Sequence, residues 1–399
     1  MREFTEYALR QLEKAEHIDR QIRDFFLSKR PGIIYGAGWQ GFLTAGFAQF
    51  FEKQITSFLV SPTGSRSTAF YKNIPLYHMD ELPPSALFRD FDTIIAVNQR
   101  YSHEIFDALQ RAGFSNIFLT TDWASTNEAL WNFWYHCYFD FHLFTRHEDR
   151  NGEEYFLYNF EDGAYKFYFP SKDDVFRSNM YVQFNDIVLP SLLNDYSYID
   201  EGPYELGNVT VKKGDIVFDC GANVGLFSGV AAAKGAEVYA FEPTPVTCKY
   251  LERSLSFYNN TTIHQYAVAE DNGKSKFYIN DLQKDNNLGV NGFNPMLSGV
   301  HFDSIEVSTL SLDTFVKEHA IARVDFIKAD IEGAERDMLK GAKQILAEFA
   351  PKLALCTYHL PDDPEVMERL ILEANPNYII QHKYSKLYAY CPNSMHTAS

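Results

Sequence analysis

The sequence between residues 216 and 225 reads Ile216-Val217-Phe218-Asp219-Cys220-Gly221-Ala222-Asn223-Val224-Gly225. Its first three residues are apolar, which is typical of a short buried strand. Asp219 follows them, and Gly221 and Gly225 permit a tight turn into a helix expected over residues 227–234. This order of strand, glycine turn and helix predicts an α/β fold whose ligands bind at the carboxyl ends of parallel strands.

The next predicted strand ends in an acidic residue. The apolar run at residues 238–241 is followed by Glu242, about 20 residues after Asp219. At that separation the carboxylate lies at the tip of the neighbouring parallel strand, where it can accept hydrogen bonds from ribose hydroxyls. The glycine spacing differs from the G-x-G-x-x-G dinucleotide fingerprint and does not suit a pyrophosphate. The sequence therefore predicts a site for a ribose-containing ligand.

The composition excludes several classes of protein. The chain has 399 residues and a net charge of −17, which argues against binding nucleic acid or an anionic membrane through bulk charge. It contains no apolar run of about 18 residues or more, so we expect no membrane span. The five cysteines form no C-x-x-C pair, which fits a reducing compartment and predicts a cytoplasmic protein.

Later motifs resemble a known family. They are Ala267-Val268-Ala269, Ser308-Thr309-Leu310-Ser311-Leu312-Asp313, Ile327-Lys328-Ala329-Asp330-Ile331-Glu332-Gly333-Ala334-Glu335 and a strand ending in His359. With the glycine turn, they resemble the FkbM family of methyltransferases over roughly half of the chain. The resemblance implies a class I methyltransferase fold with a Rossmann-like sheet, and S-adenosylmethionine as cofactor. It also implies methyl transfer to a hydroxyl, on a sugar of a surface polysaccharide or glycolipid or on a natural product.

The resemblance also implies a role for each matching residue. The residues of the glycine turn pass under the methionine part of the cofactor, and Glu242 holds the ribose. Ala267 and Val268, which follow the third predicted strand, lie along the adenine. The implied cofactor-binding residues are Asp219, Gly221, Asn223, Gly225, Glu242, Pro243, Ala267 and Val268. The implied catalytic residues are His359, Asp330, Lys328 and Glu332. The acceptor is expected to contact residues 286–299, a segment rich in Asn and Gly.

The chemistry of a hydroxyl acceptor can be argued separately. The hydroxyl must lose a proton during or after attack, and a positioned His or carboxylate can take it. His359 is the first candidate by its unperturbed pKa, and Asp330 is the second. Lys328 either lowers the pKa of the acceptor or pairs with a carboxylate. A divalent metal on Asp330, Glu332 and His359 is an alternative, but we predict no metal, because cofactor and acceptor binding also explain these carboxylates.

The first half of the chain predicts a second, smaller Rossmann-like α/β domain. Residues 1–30 are expected to form one amphipathic helix, and residues 31–122 the small domain, which contains Gly36-Ala37-Gly38-Trp39-Gln40-Gly41. The second strand of this domain ends at Ser61 without a carboxylate. Both dinucleotide binding and a merely structural tight turn therefore remain open.

The remaining expectations concern organisation and alternative functions. Residues 123–200 predict an aromatic-rich linker and β-hairpin region, and residues 201–399 the FkbM-like domain. The N-terminal helix and the aromatic residues indicate a homo-oligomer. Two other functions stay open: a nicotinamide-dependent oxidoreductase or epimerase that uses the N-terminal glycines, and a non-catalytic binding protein on a methyltransferase scaffold.

Overall fold

The computed structural model describes residues 2–37, 41, 44–45, 47–48, 51–61, 74–81, 88, 90–97, 99–119, 129–130, 133, 145–152, 154–160, 163–168, 203–280, 291–293 and 302–392. The chain divides into two compact units, Met1–Phe144 and Thr145–Ser399. The division falls inside the predicted linker region, 123–200. Of the aromatic segment at 123–144, only residues 129–130 and 133 are described. Within the described part of the chain, no helix is long and apolar enough to cross a membrane.

The first unit contains a five-stranded parallel sheet in the order β3-β2-β1-β4-β5. Its strands are β1 (Gly32–Tyr35), β2 (Ile55–Val60), β3 (Leu76–His78), β4 (Asp92–Ile95) and β5 (Asn116–Leu119), and the helices described in full are α1 (Arg2–Lys14), α2 (Arg20–Leu27) and α3 (Gln99–Arg111). A buried ion pair of 2.6 Å joins Lys53 to Asp92. Of the glycine motif, Gly38, Trp39 and Gln40 lie outside the described residues.

The expectation of one N-terminal helix is wrong. The chain forms α1 and α2 with a break between residues 14 and 20. The break is stabilised by Asp19, whose side chain accepts hydrogen bonds from the backbone N–H groups of Gln21 and Ile22. Such an N-cap starts a new helix because it satisfies donors that have no partner within the helix. The apolar period continues across the break, so Leu12 and Ile22 are both buried.

The second unit is built on a seven-stranded sheet in the order β11-β10-β9-β15-β16-β18-β17. Only β18 and β17 at one edge run antiparallel to their neighbours. The strands are β9 (Ile216–Cys220), β10 (Glu237–Phe241), β11 (Thr261–His264), β15 (Phe326–Ala329), β16 (Lys352–Cys356), β17 (Ile379–Lys383) and β18 (Lys386–Tyr390). The predicted α/β fold with parallel strands is confirmed.

Helices and smaller sheets surround this central sheet. The helices are α4 (Leu226–Ala233), α5 (Pro245–Leu255), α6 (Leu312–Glu318), α7 (Glu335–Lys340), α8 (Lys343–Glu348) and α9 (Asp363–Ala374). One small sheet contains β12 (Ala267–Val268), β13 (Gly273–Asn280) and β14 (Phe302–Leu310). Another contains β6 (Thr145–Glu148), β7 (Glu154–Phe160) and β8 (Gly163–Tyr168).

Both faces of the central sheet are covered by apolar side chains. On β9, Phe218 packs in one apolar cluster with Phe241 and Phe315, while Val217 belongs to a second cluster with Phe227. Successive side chains of a strand point to opposite faces, so an uninterrupted apolar run suits a strand that is buried on both sides. This burial fixes the strand tips, where the polar residues of the site begin.

Candidate functional site

The polar residues predicted for the site meet at the carboxyl ends of neighbouring strands. Asp219 is on β9, Glu242 follows β10, Asp330 follows β15 and His359 follows β16. Because these strands are adjacent and parallel, their ends lie at one edge of the sheet, where open α/β sheets bind ligands. The structure therefore brings together residues that are far apart in sequence.

The glycine turn after β9 depends on two residues with positive φ. Gly221 has φ +75°, and a Cβ atom built on it would lie 1.9 Å from the backbone oxygen of Asp330. Gly225 has φ +88°, and a Cβ atom built on it would lie 2.6 Å from Cδ1 of Leu251 on α5. Any larger residue would have to displace its neighbours. The two glycines thus let β15 and α5 approach the turn.

Glu242 is held beside this turn by backbone donors. Its Oε2 accepts a hydrogen bond of 3.2 Å from the backbone N–H of Asn223, and its Oε1 accepts one of 2.9 Å from that of Thr244. Burial raises the pKa of Glu242 above its usual value, although both donors lower it. The half-buried Pro243 follows. Both carboxylate oxygens retain lone pairs that could accept hydrogen bonds from a ligand.

Asn223 supplies a second polar atom at the turn. Its φ is +48°, an uncommon backbone conformation that Asn tolerates better than most residues. Its side-chain Oδ1 is buried and has no hydrogen-bond partner among the described residues. A buried acceptor without a partner is costly, and a ligand amine or hydroxyl would satisfy it. Asn223 and Glu242 together therefore fit the amino-acid tail and ribose of a nucleoside cofactor.

Asp219 and Lys328 form a buried ion pair beneath the turn. Nζ of Lys328 lies 3.0 Å from Oδ1 of Asp219 and donates a 2.6 Å hydrogen bond to the backbone oxygen of Gly221. The other Asp219 oxygen accepts a 2.6 Å hydrogen bond from Oγ of Ser228. Burial alone lowers the pKa of Lys328, but the carboxylates of Asp219 and Asp330 hold it above its usual value. Of the two roles predicted for Lys328, the structure therefore shows pairing with a carboxylate.

Asp330 is oriented by two tyrosines. Its Oδ2 accepts a 2.5 Å hydrogen bond from Tyr204, and its Oδ1 accepts a longer one of 3.3 Å from Tyr358. Burial would raise the pKa of Asp330, but the nearby cations, of which Lys328 has the largest effect, hold it below its usual value. Asp330 is therefore ionised at neutral pH.

His359 does not have the ordinary pKa that the sequence analysis assumed. Burial lowers the pKa, but the surrounding carboxylates, of which Glu335 acts most strongly, raise it to about 9. Nδ1 lies 3.1 Å from Oε1 of Glu335, while Nε2 lies 3.5 Å from Oε2 of Glu332 and 3.8 Å from Oδ1 of Asp330. With no cation bound, the carboxylates therefore favour the imidazolium form of the ring.

Glu332 and Glu335 complete this group. Glu332 has φ +54° and is partly exposed. The side chain of Glu335 is fully buried and accepts a 2.9 Å hydrogen bond from the backbone N–H of Ile331. The helical period from Glu332 does not reveal this burial, because the burial results from packing against His359, which lies beyond the end of β16.

Ala267 and Val268 lie apart from the central sheet. They form β12, which pairs with β14 in the small sheet, and both side chains are buried. The preceding strand, β11, ends at His264 and belongs to the central sheet. Of the acceptor segment predicted at residues 286–299, only residues 291–293 are described, and there the backbone of Gly292 pairs with Tyr278.

Sequence reasoning missed Tyr204, Tyr358 and Lys386. Lys386 is 1% exposed, and its Nζ lies 4.6 Å from the ring centre of Tyr204. Nζ of Lys328 lies 5.1 Å from the same ring, which places the tyrosine next to two cations. A lysine at the start of the apolar strand β18 and a tyrosine next to His359 were the available signals, whereas nothing in the local sequence marks Tyr204.

Comparison with known proteins identifies the region that contains this site. Residues 219–385 match the family model described as the methyltransferase FkbM domain. This region is therefore similar to the methyltransferase FkbM domain, as its motifs predicted. Tyr204, which binds Asp330, lies before the matched region.

Two curated relatives align with the same half of the chain. The hexuronic acid methyltransferase AglP of Haloferax volcanii is 26% identical over 164 residues, which cover 41% of this chain and 64% of the relative. The 31-O-demethyl-FK506 methyltransferase FkbM of Streptomyces tacrolimicus is 29% identical over 178 residues, with coverages of 38% and 66%. The chain thus spans less than two thirds of the length of either relative.

One solved structure aligns with nearly the whole chain. The methyltransferase FkbM from Methylobacillus flagellatus is 18% identical, and the alignment covers 97% of this chain and 98% of that one with a TM-score of 0.39.

Proposed function

We propose that this protein transfers a methyl group from S-adenosylmethionine to a hydroxyl of a sugar or glycoconjugate. The observation that carries the proposal is the Glu242 carboxylate at the tip of β10, fixed by the backbone N–H groups of Asn223 and Thr244. The carboxylate can accept hydrogen bonds from both ribose hydroxyls of the cofactor. The match to the methyltransferase FkbM domain supports the same assignment.

The bound cofactor supplies an electrophilic methyl group on a sulfonium. The protein's contribution is mainly to position the acceptor, since alignment of the reacting atoms supplies much of the rate. Asp330 accepts a hydrogen bond from the acceptor hydroxyl and then takes its proton, while Tyr204 keeps the carboxylate in place. A carboxylate with a lowered pKa is a weak base, so the proton leaves as the O–C bond forms rather than before. Lys328 acts indirectly, by holding the turn and Asp219.

A sugar acceptor is supported by the names of two relatives. One is the hexuronic acid methyltransferase AglP, and another is the 2-O-methyltransferase NoeI of Sinorhizobium fredii, 24% identical over 148 residues. The charges fit a polyhydroxylated ligand, because Asp330 and Glu332 can accept hydrogen bonds from neighbouring hydroxyls.

We also propose that the first unit is a Rossmann-like domain. Its parallel strand order, β3-β2-β1-β4-β5, supports this assignment. The end of β2 argues against binding of a nicotinamide dinucleotide, because the chain continues into Ser61 where a ribose-binding carboxylate would be needed. The backbone oxygen of Ser61 instead lies 3.0 Å from Nδ1 of His78.

Calorimetric titration with S-adenosylmethionine tests the cofactor site. We expect Glu242→Gln to lower the affinity by about 10–100-fold, because one acceptor oxygen is replaced by a donor. Glu237→Gln, an exposed position on the same strand, is the matched control and should bind like the wild type. Transfer of a labelled methyl group to uronic acid-containing oligosaccharides then tests the acceptor class. A wild-type protein that does not bind the cofactor, or equal affinity in Glu242→Gln, would contradict the proposal.

A further inference from the structure

The imidazole of His359 is enclosed by three carboxylates that divide between its two nitrogens. Glu335 faces Nδ1 at 3.1 Å, whereas Glu332 and Asp330 face Nε2 at 3.5 and 3.8 Å. Glu335 is fully buried and is itself fixed by the backbone N–H of Ile331. One carboxylate therefore faces Nδ1, and the other two lie on the side of Nε2.

The distances from Nε2 to the Glu332 and Asp330 carboxylates are closer to those between two ligands of one metal than to the length of a hydrogen bond. Hydrogen bonds from nitrogen to oxygen are about 2.7–3.2 Å long, and both contacts are longer. Ligands about 2.1 Å from a shared divalent cation lie roughly 3.0–3.5 Å from each other. Small rotations of the Glu332 and Asp330 side chains would bring them into that range.

The burial and hydrogen bonding of the His359 ring provide an independent observation. The residue is only 6% exposed, and its Nε2 has no hydrogen-bond partner among the residues that the structure describes. A buried polar group without a hydrogen-bond partner requires an explanation. Candidate ligand atoms of Asp330, Glu335 and His359 all lie within 4.8 Å of one another.

The backbone also supports a specialised site. Glu332 has φ +54° and Gly333 has φ +93°, so two successive residues adopt left-handed conformations directly after the strand tip. Such a conformation costs free energy at a residue other than glycine, and it is found most often at functional sites. Here it turns the chain between Asp330 and Glu335, so that all three carboxylates face the same imidazole.

We propose that Asp330, Glu332 and Nε2 of His359 bind a divalent cation, with Glu335 as the carboxylate that positions the imidazole. A carboxylate behind the second nitrogen of a metal-binding histidine is a common arrangement. Two carboxylates and one imidazole suit Mn²⁺, which accepts oxygen ligands and tolerates nitrogen. Binding of the cation does not depend on the proposed methyl transfer. Binding of the cation would displace the proton from Nε2 of His359, and if both occur, an acceptor hydroxyl coordinated there would have a lower pKa.

Titration of the purified full-length protein with Mn²⁺ tests the site. After treatment with EDTA and desalting, free Mn²⁺ is followed by electron paramagnetic resonance. We expect one equivalent to bind per chain in the wild type. Glu332→Gln and His359→Gln should each weaken binding at least about tenfold, and Glu335→Gln by about 10–100-fold through loss of ring orientation.

The matched control is His382→Gln, which removes a histidine from an exposed pair with Glu368. It should bind Mn²⁺ like the wild type. Circular dichroism verifies the fold of each variant, and Glu332→Gln is the most informative because its side chain is partly exposed. No stoichiometric binding in the wild type, or unchanged binding in a folded Glu332→Gln variant, would overturn the inference. Titration of the protein with S-adenosylmethionine in the presence of EDTA measures cofactor binding without Mn²⁺. A failure of the metal site can therefore be distinguished from a failure of the proposed function.

Discussion

At the scale of single residues, the buried ion pair of Lys328 and Asp219 links the sheet to the glycine turn. Lys328 is 3% exposed and Asp219 is fully buried. The ammonium of Lys328 also donates a hydrogen bond to the backbone oxygen of Gly221. The pair therefore stabilises the conformation of the turn without presenting its charges to a ligand.

We expect Lys328→Met to destabilise the protein by about 3–5 kcal/mol, because it leaves the Asp219 carboxylate buried and uncompensated. Lys274→Met is the control, since Lys274 pairs with Glu306 at the surface and its loss should leave the melting temperature unchanged. Thermal unfolding of both variants measures the difference. Equal melting temperatures would show that the buried pair is dispensable.

Gly221→Ala should be more destabilising than Gly214→Ala. Both glycines have positive φ, at +75° and +84°, but only Gly221 has a neighbour within 4 Å of an added Cβ. The left-handed conformation costs about 1–2 kcal/mol at either position, and steric overlap with Asp330 adds about 1–3 kcal/mol at Gly221. Denaturant unfolding compares the two variants, and a similar loss in both would mean that β15 moves away freely.

Glu242 should make the stability of the ligand-free protein depend on pH. Its pKa is raised above 4.5 by burial in the folded state, so the folded protein holds this proton more tightly than the unfolded chain. The resulting stabilisation is complete below pH 4.5 and is lost as the pH rises through the raised pKa. The Glu242→Gln variant cannot titrate at this position, so it does not show this loss of stability with rising pH. Its melting temperature relative to the wild type should therefore increase from pH 4.5 to neutrality, and a constant difference would contradict the assignment.

At the scale of secondary-structure elements, the second unit includes a hairpin outside the matched methyltransferase region. Tyr165 on β8 is buried and packs against Gly229 on α4. The hydroxyl of Tyr258 accepts a hydrogen bond from the backbone N–H of Lys166 and donates one to its oxygen, at 2.8 and 2.9 Å. Because β8 is an edge strand of its sheet, Tyr258 pairs backbone groups that would otherwise have no strand partner.

Tyr258→Phe should destabilise the protein by about 1–3 kcal/mol, since it removes both hydrogen bonds and leaves backbone groups without a partner. Tyr239→Phe loses only a hydrogen bond to the exposed Glu237 and should change stability by less than about 0.5 kcal/mol. Hydrogen exchange at Lys166 provides a local measurement. Unchanged protection there in Tyr258→Phe would exclude this pairing.

At the scale of the whole molecule, the division into two units predicts which fragments fold. A fragment of residues 145–399 retains β8 against α4, whereas residues 203–399 expose the buried face of α4. We expect the longer fragment to unfold cooperatively and the shorter one to have a lower melting temperature and to bind a hydrophobic dye. Identical unfolding of the two would show that the hairpin contributes no stability.

The sequence by itself determined the elements whose signals are local. An apolar run followed by Asp219 and two glycines predicted β9 and its turn, because strand burial and positive φ depend on residues that are close in sequence. The acidic residue at the end of β10 followed from the regular length of a strand–helix–strand unit. Parallel strands then placed Asp330 and His359 near this turn, which the structure bears out.

The tertiary structure alone decided the charges and partners of these groups. Tyr204 reaches Asp330 across 126 residues of sequence, and Glu335 meets His359 only because α7 packs beside the end of β16. Packing sets the burial and the neighbouring charges that determine a pKa, so the pKa of His359 lies above the ordinary histidine value that its sequence suggested. The division of α1 from α2 likewise depended on a side-chain cap that the apolar period does not encode.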